Sequence, residues 1–464
     1  MKEDMDHDAR LAGFLAGLSP ERKADLLHLL SCAVCRGVAR ESLEGEATEA
    51  PPESADVYDR AFEALEARAP GLVRRMEEQI AEVRKLFDAL LGSPAAQQMA
   101  LAGSRALGDL RLADMLLGES RSAQPADPQR AEGLARLALR IAEQPFARRQ
   151  ASRVEEVKAR GLALLGNARR LQGDLQEAEE CFGQAASHLT CPPDAEERAL
   201  YCHLLAYLRR DQRREDEVAG LLWRAASIYR DLAAVLEEGE CLAELGFLFL
   251  DEGQVQAAIP PLARACPMLD LHRDELLGLR AGLTLAVCYA LAGHGEKARG
   301  LVAAARPLYG RVTDSAAMAE VAWREGKVAL LTGDREEASS LLGTARRSFL
   351  GAGRLYEAAL ASLDVALALP TPRRAEDIHP LIHELVERFP ADIRRIGVVK
   401  ALATVEMAAR RCSEADFEQM VSIAAAAIHR FRRYPTQAFR PGPARPPHLR
   451  LETPELDLDL EALQ

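Results

Sequence analysis

Aromatic residues are scarce in this chain: two tryptophans, eight tyrosines and twelve phenylalanines among 464 residues, 5% in all. Sandwiches and barrels fill their pleated surfaces with aromatic and β-branched side chains, so the scarcity argues against a sheet protein. No apolar run reaches the roughly 18 residues that a membrane-crossing helix needs. The longest, over 281–293, suits a buried helix instead. The opening MKEDMDHDAR is acidic and lacks the apolar stretch of a secretory signal. Cysteine occurs nine times, an odd number, and seven stand singly: Cys181, Cys191, Cys202, Cys241, Cys266, Cys288 and Cys412. Most of these sit among Leu and Ala at helical spacing, where a thiol packs as a small apolar group. No disulfide framework is indicated, and a reducing, cytoplasmic location is expected. Positive charge is in deficit, with 59 Lys and Arg against 71 Asp and Glu, a formal net charge of -12. That balance argues against nucleic acid as a ligand of the whole surface.

Catalytic signatures are missing too. There is no G-x-x-x-x-G-K-[ST] phosphate loop, no H-E-x-x-H and no G-x-S-x-G. Gly351-Ala352-Gly353 is a lone G-x-G where a helix–helix turn expects glycine anyway. His379 and His383 stand four apart, but Pro380 lies between them and no glutamate has the catalytic spacing. The expectation is a protein that is not an enzyme.

What is present is a repeat. The segment ALLGNARRLQGDLQEAEECFGQAA carries Leu165-Gly166, Gly173, Ala178, Phe182 and Ala185. The same spacing returns every 40 residues. The next copy, a weaker one, is Leu205-Ala206, Arg213, Val218, Leu222 and Ala225. Then come Leu245-Gly246, Gly253, Ala258, Leu262 and Ala265, followed by Leu285-Ala286, Gly293, Ala298, Val302 and Ala305. The last is Glu325-Gly326, Gly333, Ala338, Leu342 and Ala345. A small residue on a first helix lets a second helix approach closely. The later glycine accepts left-handed angles and ends the first helix. The Ala, large apolar, Ala series at i, i+4 and i+7 lines one face of the second helix. Such a hairpin cannot bury its apolar face alone; stacking does so.

These residues resemble the tetratricopeptide repeat (TPR) family, with a period longer than usual. The resemblance implies an all-α, TPR-type α-solenoid of about 40-residue helix hairpins. Flanking pairs over 99–117 with 128–143, 359–369 with 378–388, and 391–411 with 413–433 are expected to continue the stack. The family's inner surface comes from the first helix of each pair. Its offsets place Arg160, Asn167, Arg170, His203, Tyr207, Arg210, Glu244, Phe247, Trp323 and Lys327 in a partner-binding groove. The resemblance implies a peptide or protein partner gripped by Arg and Asn, with aromatic side chains as anchors.

The amino-terminal segment lies outside the repeat. Ser19-Pro20-Glu21 starts a helix, with Ser as N-cap and Pro at its first position. His28, Cys32 and Cys35 then fall at i, i+4 and i+7, on one helical face. An imidazole and two thiolates suit tetrahedral zinc. This run resembles the helix of the zinc-binding anti-sigma factor family, which takes its fourth ligand from upstream. The candidate here is His7; Asp6, Asp8 and Asp25 are substitutes, and no cysteine precedes the helix. The resemblance implies a possible zinc cofactor and a sigma factor or other transcription component as partner. The alternative is a plain TPR adaptor of a larger complex, its amino terminus only a structural cap.

The resulting organisation has four parts. Residues 1–45 form the anti-sigma-like segment. Residues 46–95 hold an acidic linker and amphipathic helices, with an apolar stripe of Ile80, Val83, Leu86, Phe87, Leu90 and Leu91. Residues 96–434 form the solenoid. Residues 435–464 are a flexible tail, first rich in Pro and Arg, then acidic with alternating Leu. The alternative to a flexible tail is a short linear motif that binds a partner or folds back onto the solenoid.

Overall fold

A computed structural model of the chain describes residues 74, 77–145, 151–189, 195–269, 275–371, 374–389, 393–411 and 413–433. Among them are eighteen α-helices and no strand. Residues 77–91 form α1. Next come α2 (Ala95–Ala102), α3 (Leu110–Ala123) and α4 (Pro128–Ala142). The repeat copies are hairpins. They are α5 (Ala151–Leu171) with α6 (Leu175–His188), and α7 (Ala195–Asp211) with α8 (Glu215–Asp231). Then follow α9 (Val235–Asp251) with α10 (Val255–Ala265), α11 (Glu275–Leu291) with α12 (Gly295–Ala305), and α13 (Ser315–Leu331) with α14 (Arg335–Gly351). The last helices are α15 (Leu355–Ala368), α16 (Ala375–Arg388), α17 (Ile393–Arg411) and α18 (Glu414–Arg433). The chain divides into two units: Met1–Leu248 with Arg264–Leu269, and Phe249–Ala263 with Asp270–Gln464.

The 40-residue frame is a backbone fact. Gly173, Arg213, Gly253, Gly293 and Gly333 all adopt positive φ, between 66° and 93°. In each copy the next amide closes the helix by bonding back five residues, as in Asp174 N to Arg169 O (3.0 Å) and Asp334 N to Ala329 O (2.9 Å). This left-handed cap satisfies the last carbonyls of the first helix and reverses the chain. Asp174 and Asp334 then cap the second helices, accepting from the amides of Glu177 and Glu337. The same cap recurs between hairpins at Ala233 (φ 54°) and Gly353 (φ 69°).

Side chains follow the frame. All fifteen residues of the Ala, large apolar, Ala series in the five copies are buried. A Cβ on Gly166 would lie 3.0 Å from the Phe182 ring, and one on Gly326 would lie 2.8 Å from Leu342 Cγ. The small residue is therefore the socket for the large one sixteen positions on. A sixth copy continues the register, with Val365, Ala366, Ile378, Ile382 and Leu385 buried. Isoleucine and leucine replace its alanines, which hides it from a search for the small-residue pattern. The final pair slips by one residue, burying Phe417, Val421 and Ala424.

In the first unit, α5 packs against both α3 and α7. In the second, α11 packs against α13. First helices thus meet first helices along each stack, on the side that the repeat offsets name as inner. The amphipathic α1 joins the core of its own unit through Val83, Phe87 and Leu90, while Ile80 stays exposed. The expected single helix over 99–117 is two helices. Gly103 ends α2, a short 3-10 turn follows over Arg105–Leu107, and Asp109 caps α3 by accepting from Arg111 N at 2.9 Å. Two Gly-polar pairs, Gly103-Ser104 and Gly108-Asp109, break what the apolar spacing alone suggests. The described cysteines Cys202, Cys241 and Cys288 are buried and unpaired; Cys181 and Cys266 are partly buried and also unpaired. Among the described residues, no helix is long and apolar enough to cross a membrane.

Two substitutions test the frame. Arg213 and Ala233 pay for left-handed angles that glycine adopts without strain, so Arg213→Gly and Ala233→Gly should each stabilise the chain by about 1 kcal/mol. Gly166→Val forces a branched side chain into the Phe182 ring and should destabilise it by about 2–3 kcal/mol. Urea unfolding followed by circular dichroism reads both. Equal or lower stability of the glycine variants would contradict the strain assigned to these caps.

Candidate functional site

Eight of the ten groove positions lie in the first unit, on the inner helices α5, α7 and α9. Six of them form one connected cluster. Tyr207 is its centre: the Arg170 guanidinium lies 5.4 Å from its ring centroid and that of Arg210 lies 5.0 Å away. Cations over an aromatic face are attracted by its quadrupole. The Tyr207 hydroxyl meets His203 Nε2 at 2.9 Å, one helical turn back on α7. Arg210 Nη1 donates to Glu244 Oε2 at 2.7 Å, linking α7 to α9. Arg170 Nε donates to Asn167 Oδ1 at 2.7 Å, and its Nη1 donates to Asp211 at 2.6 Å. Asn167 in turn donates to Gln124 Oε1, and Gln124 Nε2 donates to the Leu164 carbonyl at 2.9 Å.

Burial sorts the cluster into a surface and a support. His203, Asn167 and Phe247 are buried, whereas Tyr207 and Glu244 are half-buried. The Arg210 side chain keeps 45% of its exposure. Burial opposes the Arg210 charge, but Glu244 and the other acids around it outweigh that cost and raise its pKa. Burial raises the Tyr207 hydroxyl well above its ordinary value, and Glu244 adds to the effect. Burial, then the nearby Arg121 charge, lowers His203 to about 4. His203 is therefore neutral at physiological pH and works as a hydrogen-bonding prop beneath Tyr207, not as a charged contact.

Arg160 stands apart from this cluster. It and Arg153 both donate to Asp114, and Arg160 Nε approaches Glu197 at 3.6 Å. In the second unit, Trp323 Nε1 donates to Asp364 Oδ2 at 2.7 Å, and the indole packs edge-on against Phe349. Lys327 lies over the same ring and 3.6 Å from Asp364. Trp323 is thus tied into its own stack. The offsets used for the groove also reach Arg280, Thr284, Glu320 and Arg324, which stand 40 residues from one another in pairs. These form a second polar cluster that the sequence reading passed over, although its repeat positions match those of Arg160 and Glu244.

His7, His28, Cys32 and Cys35 lie outside the described residues. Among the described residues, no group of three or more His, Cys, Asp or Glu is arranged to hold a metal ion. His379 and His383 have their rings 5.5 Å apart and turn to carboxylates, Glu406 at 3.0 Å and Glu387 at 3.6 Å.

His203 makes stability depend on pH. Its folded pKa, about 4, lies below its ordinary 6.5. The unfolded chain therefore takes up the proton first. The stabilisation is complete above about pH 6.5 and falls as pH drops toward 4, by roughly 2 kcal/mol at pH 5. Between pH 7.5 and pH 5.0 the native chain should lose about that much more urea stability than a His203→Gln variant. Equal losses would remove His203 from this role.

No family model matches the chain, and no curated protein matches it. Solved structures do resemble it. A Rap protein complexed with competence and sporulation factor shares 12% identity, with 70% of this chain and 89% of that chain covered and a TM-score of 0.50. Aspartyl phosphate phosphatase F from Bacillus subtilis shares 16% identity over 76% of this chain and 93% of its own, with a TM-score of 0.46. The apo form of RapI shares 14% over 59% and 99%, with a TM-score of 0.45. The likeness is one of fold: the chain is an all-α helical-repeat protein of the TPR-type solenoid class.

Proposed function

We propose that this chain is a non-catalytic interaction scaffold whose first unit holds a peptide or protein segment on its inner helices. The observation that carries this reading is the half-buried Tyr207 set between Arg170 and Arg210, with buried His203 and Asn167 locking it from below. A flat ring flanked by guanidinium forks offers an apolar face together with donors for backbone carbonyls or carboxylates. Its geometry is pre-organised by neighbours, so little side-chain freedom is lost on binding. The Rap protein of related fold was solved with competence and sporulation factor bound, which supports a partner-holding use of such a stack.

The experiment separates surface from support. Affinity capture from cell extract, with the partner identified by mass spectrometry and remeasured as a purified protein, supplies the binding assay. Arg170→Ala with Arg210→Ala should weaken that partner at least tenfold. The Arg210 pair is half-exposed and contributes only about 0–1 kcal/mol to stability, whereas Arg170, 11% exposed and bonded to buried Asn167, costs more, so Arg210→Ala alone is measured beside the double variant. Asn167→Ala should instead cost about 1–3 kcal/mol of stability, because it strands the buried Gln124 oxygen. Unchanged affinity in the double arginine variant would move the binding face elsewhere.

For the amino terminus we propose that His28, Cys32 and Cys35 bind zinc, with His7 as fourth ligand, and that the segment acts on a sigma factor or another transcription component. The support is the donor set and its spacing. The bound metal would tie the segment together, and the repeat core would not depend on it. Purified protein should carry about one equivalent of zinc by elemental analysis. Cys32→Ser with Cys35→Ser should abolish it while leaving helical content nearly unchanged. Protein free of zinc after reducing purification would sink the site, and absence of any sigma factor or other transcription component from the capture would sink the role.

A further inference from the structure

The inner side of the first unit carries an ion pair that does not follow the stacking order. Arg160 with Glu197, Arg170 with Asp211 and Arg210 with Glu244 each join neighbouring first helices. Arg121 and Glu237 instead join α3 to α9, Nη2 to Oε1 at 3.6 Å, with two whole hairpins between them in the chain. The end of α3 therefore comes within side-chain reach of the start of α9, past the intervening α5 and α7.

The placement suits the charges. Arg121 lies in the last turn of α3 and Glu237 in the first turn of α9. Helix dipoles favour a cation at a C-terminus and an anion at an N-terminus. Burial opposes the Arg121 charge, but Tyr229, Glu237, Glu240 and Glu196 around it outweigh that cost. At 3.6 Å the two groups attract without a tight hydrogen bond, and their side chains keep 35% and 20% of their exposure. Water and salt compete with such a pair, so it holds the helices without locking them.

Next to the pair lies a sealed layer. His203 is 3% exposed and Tyr229 1%. Their rings meet edge-on with centroids 6.3 Å apart, and the Arg121 charge acts on both. His203 is the prop beneath Tyr207, so Arg121 stands beside the partner-holding face. The Tyr229 hydroxyl is buried and has no hydrogen-bond partner among the described residues. A sealed hydroxyl without a partner weighs against the closed arrangement, and water would satisfy it on opening. The closed form is thus held by a partly exposed ion pair and opposed by an orphaned polar group.

We propose that Arg121 and Glu237 form a latch that ties α3 to α9 over His203 and Tyr229, and that a partner is admitted to the face around Tyr207 when this latch opens. A segment lying along the inner helices has to pass between α3 and α9, which the pair keeps together. Without Arg121, the C-terminal end of α3, negative by its dipole, would face Glu237 and Glu240, and the two helix ends would part. The gating step rests on the partner-holding reading of Tyr207; the latch itself does not.

The latch is tested on the full chain without a partner, by hydroxyl-radical footprinting read by mass spectrometry. Buried Phe182 serves as the internal reference for global unfolding. In the native chain Tyr229 should be oxidised as slowly as Phe182. In Arg121→Gln, and separately in Glu237→Gln, Tyr229 oxidation should rise severalfold while Phe182 stays protected. Arg121→Lys, which keeps the charge, should retain most of the native protection. Salt at about 1 M, where screening acts within roughly 3 Å, should expose Tyr229 in the native chain as well. Tyr229 equally protected in the native chain and both glutamine variants would overturn the latch, and so would a rise that Phe182 shares. For the gate, the partner purified after capture should associate severalfold faster with the two glutamine variants than with the native chain. An unchanged association rate with Tyr229 exposed would overturn the gating. A partner indifferent to the Arg170 and Arg210 substitutions would instead remove the Tyr207 reading, and the footprint would still decide the latch.

Discussion

The structure depends on one packing constraint, the close approach of two helices at a residue without bulk. Gly166 meets Phe182 and Gly326 meets Leu342 because no side chain keeps the helices apart. Each buried large residue contributes about 1.5–3 kcal/mol of transfer free energy, and the socket determines whether it can be buried at all. The left-handed cap seven residues later holds the hairpin at that separation. Together they repeat a single local solution every 40 residues. Everything placed by offset, including the inner face, inherits its position from this pair.

Polar groups in such a stack must be settled between hairpins, because first helices pack on first helices. Arg209 shows how. Its Nε bonds Glu217 at 3.0 Å on α8 and its Nη2 bonds Glu179 at 3.0 Å on α6, while the side chain itself lies on α7. Arg346 does the same in the second unit, bonding Ser362 at 2.8 Å, the Leu381 carbonyl at 3.1 Å and Glu384 at 2.7 Å. Guanidinium forks suit this work because one planar group can reach acceptors on two neighbouring helices at once. At Arg170 and Arg210 the guanidinium groups frame an aromatic ring, whereas Arg324 and Arg354 share the carboxylate of Glu320.

The two clusters therefore differ in character. Around Tyr207 the buried layer is neutral, with His203 uncharged and Asn167 tied to Gln124. Around Glu320 the support is itself charged, so its energy responds strongly to the addition or removal of a carboxylate.

Much of the fold was legible in the residues themselves. Glycine at 173, 253, 293 and 333 marks a conformation that L side chains adopt at a cost, and the Ala, large apolar, Ala spacing marks a helical face; both are local properties, readable without coordinates. Where the local signal differs, the sequence reads less well. Ile378, Ile382 and Leu385 continue the register with bulkier residues, and Gly103 and Gly108 interrupt an apolar period that appears continuous. The repeat offsets named the residues around Tyr207, but not which of them are exposed. Burial, a neutral histidine and an asparagine bonded 43 residues away depend on how hairpins stack. So does the sharing of Glu320 by Arg324 and Arg354, since ion pairing depends on neighbours in space. The sequence by itself determined the period and the faces of the helices, because backbone angles and side-chain bulk act locally. Only the tertiary structure decided which side chains are surface and which are support, because that distinction comes from residues far apart in the chain.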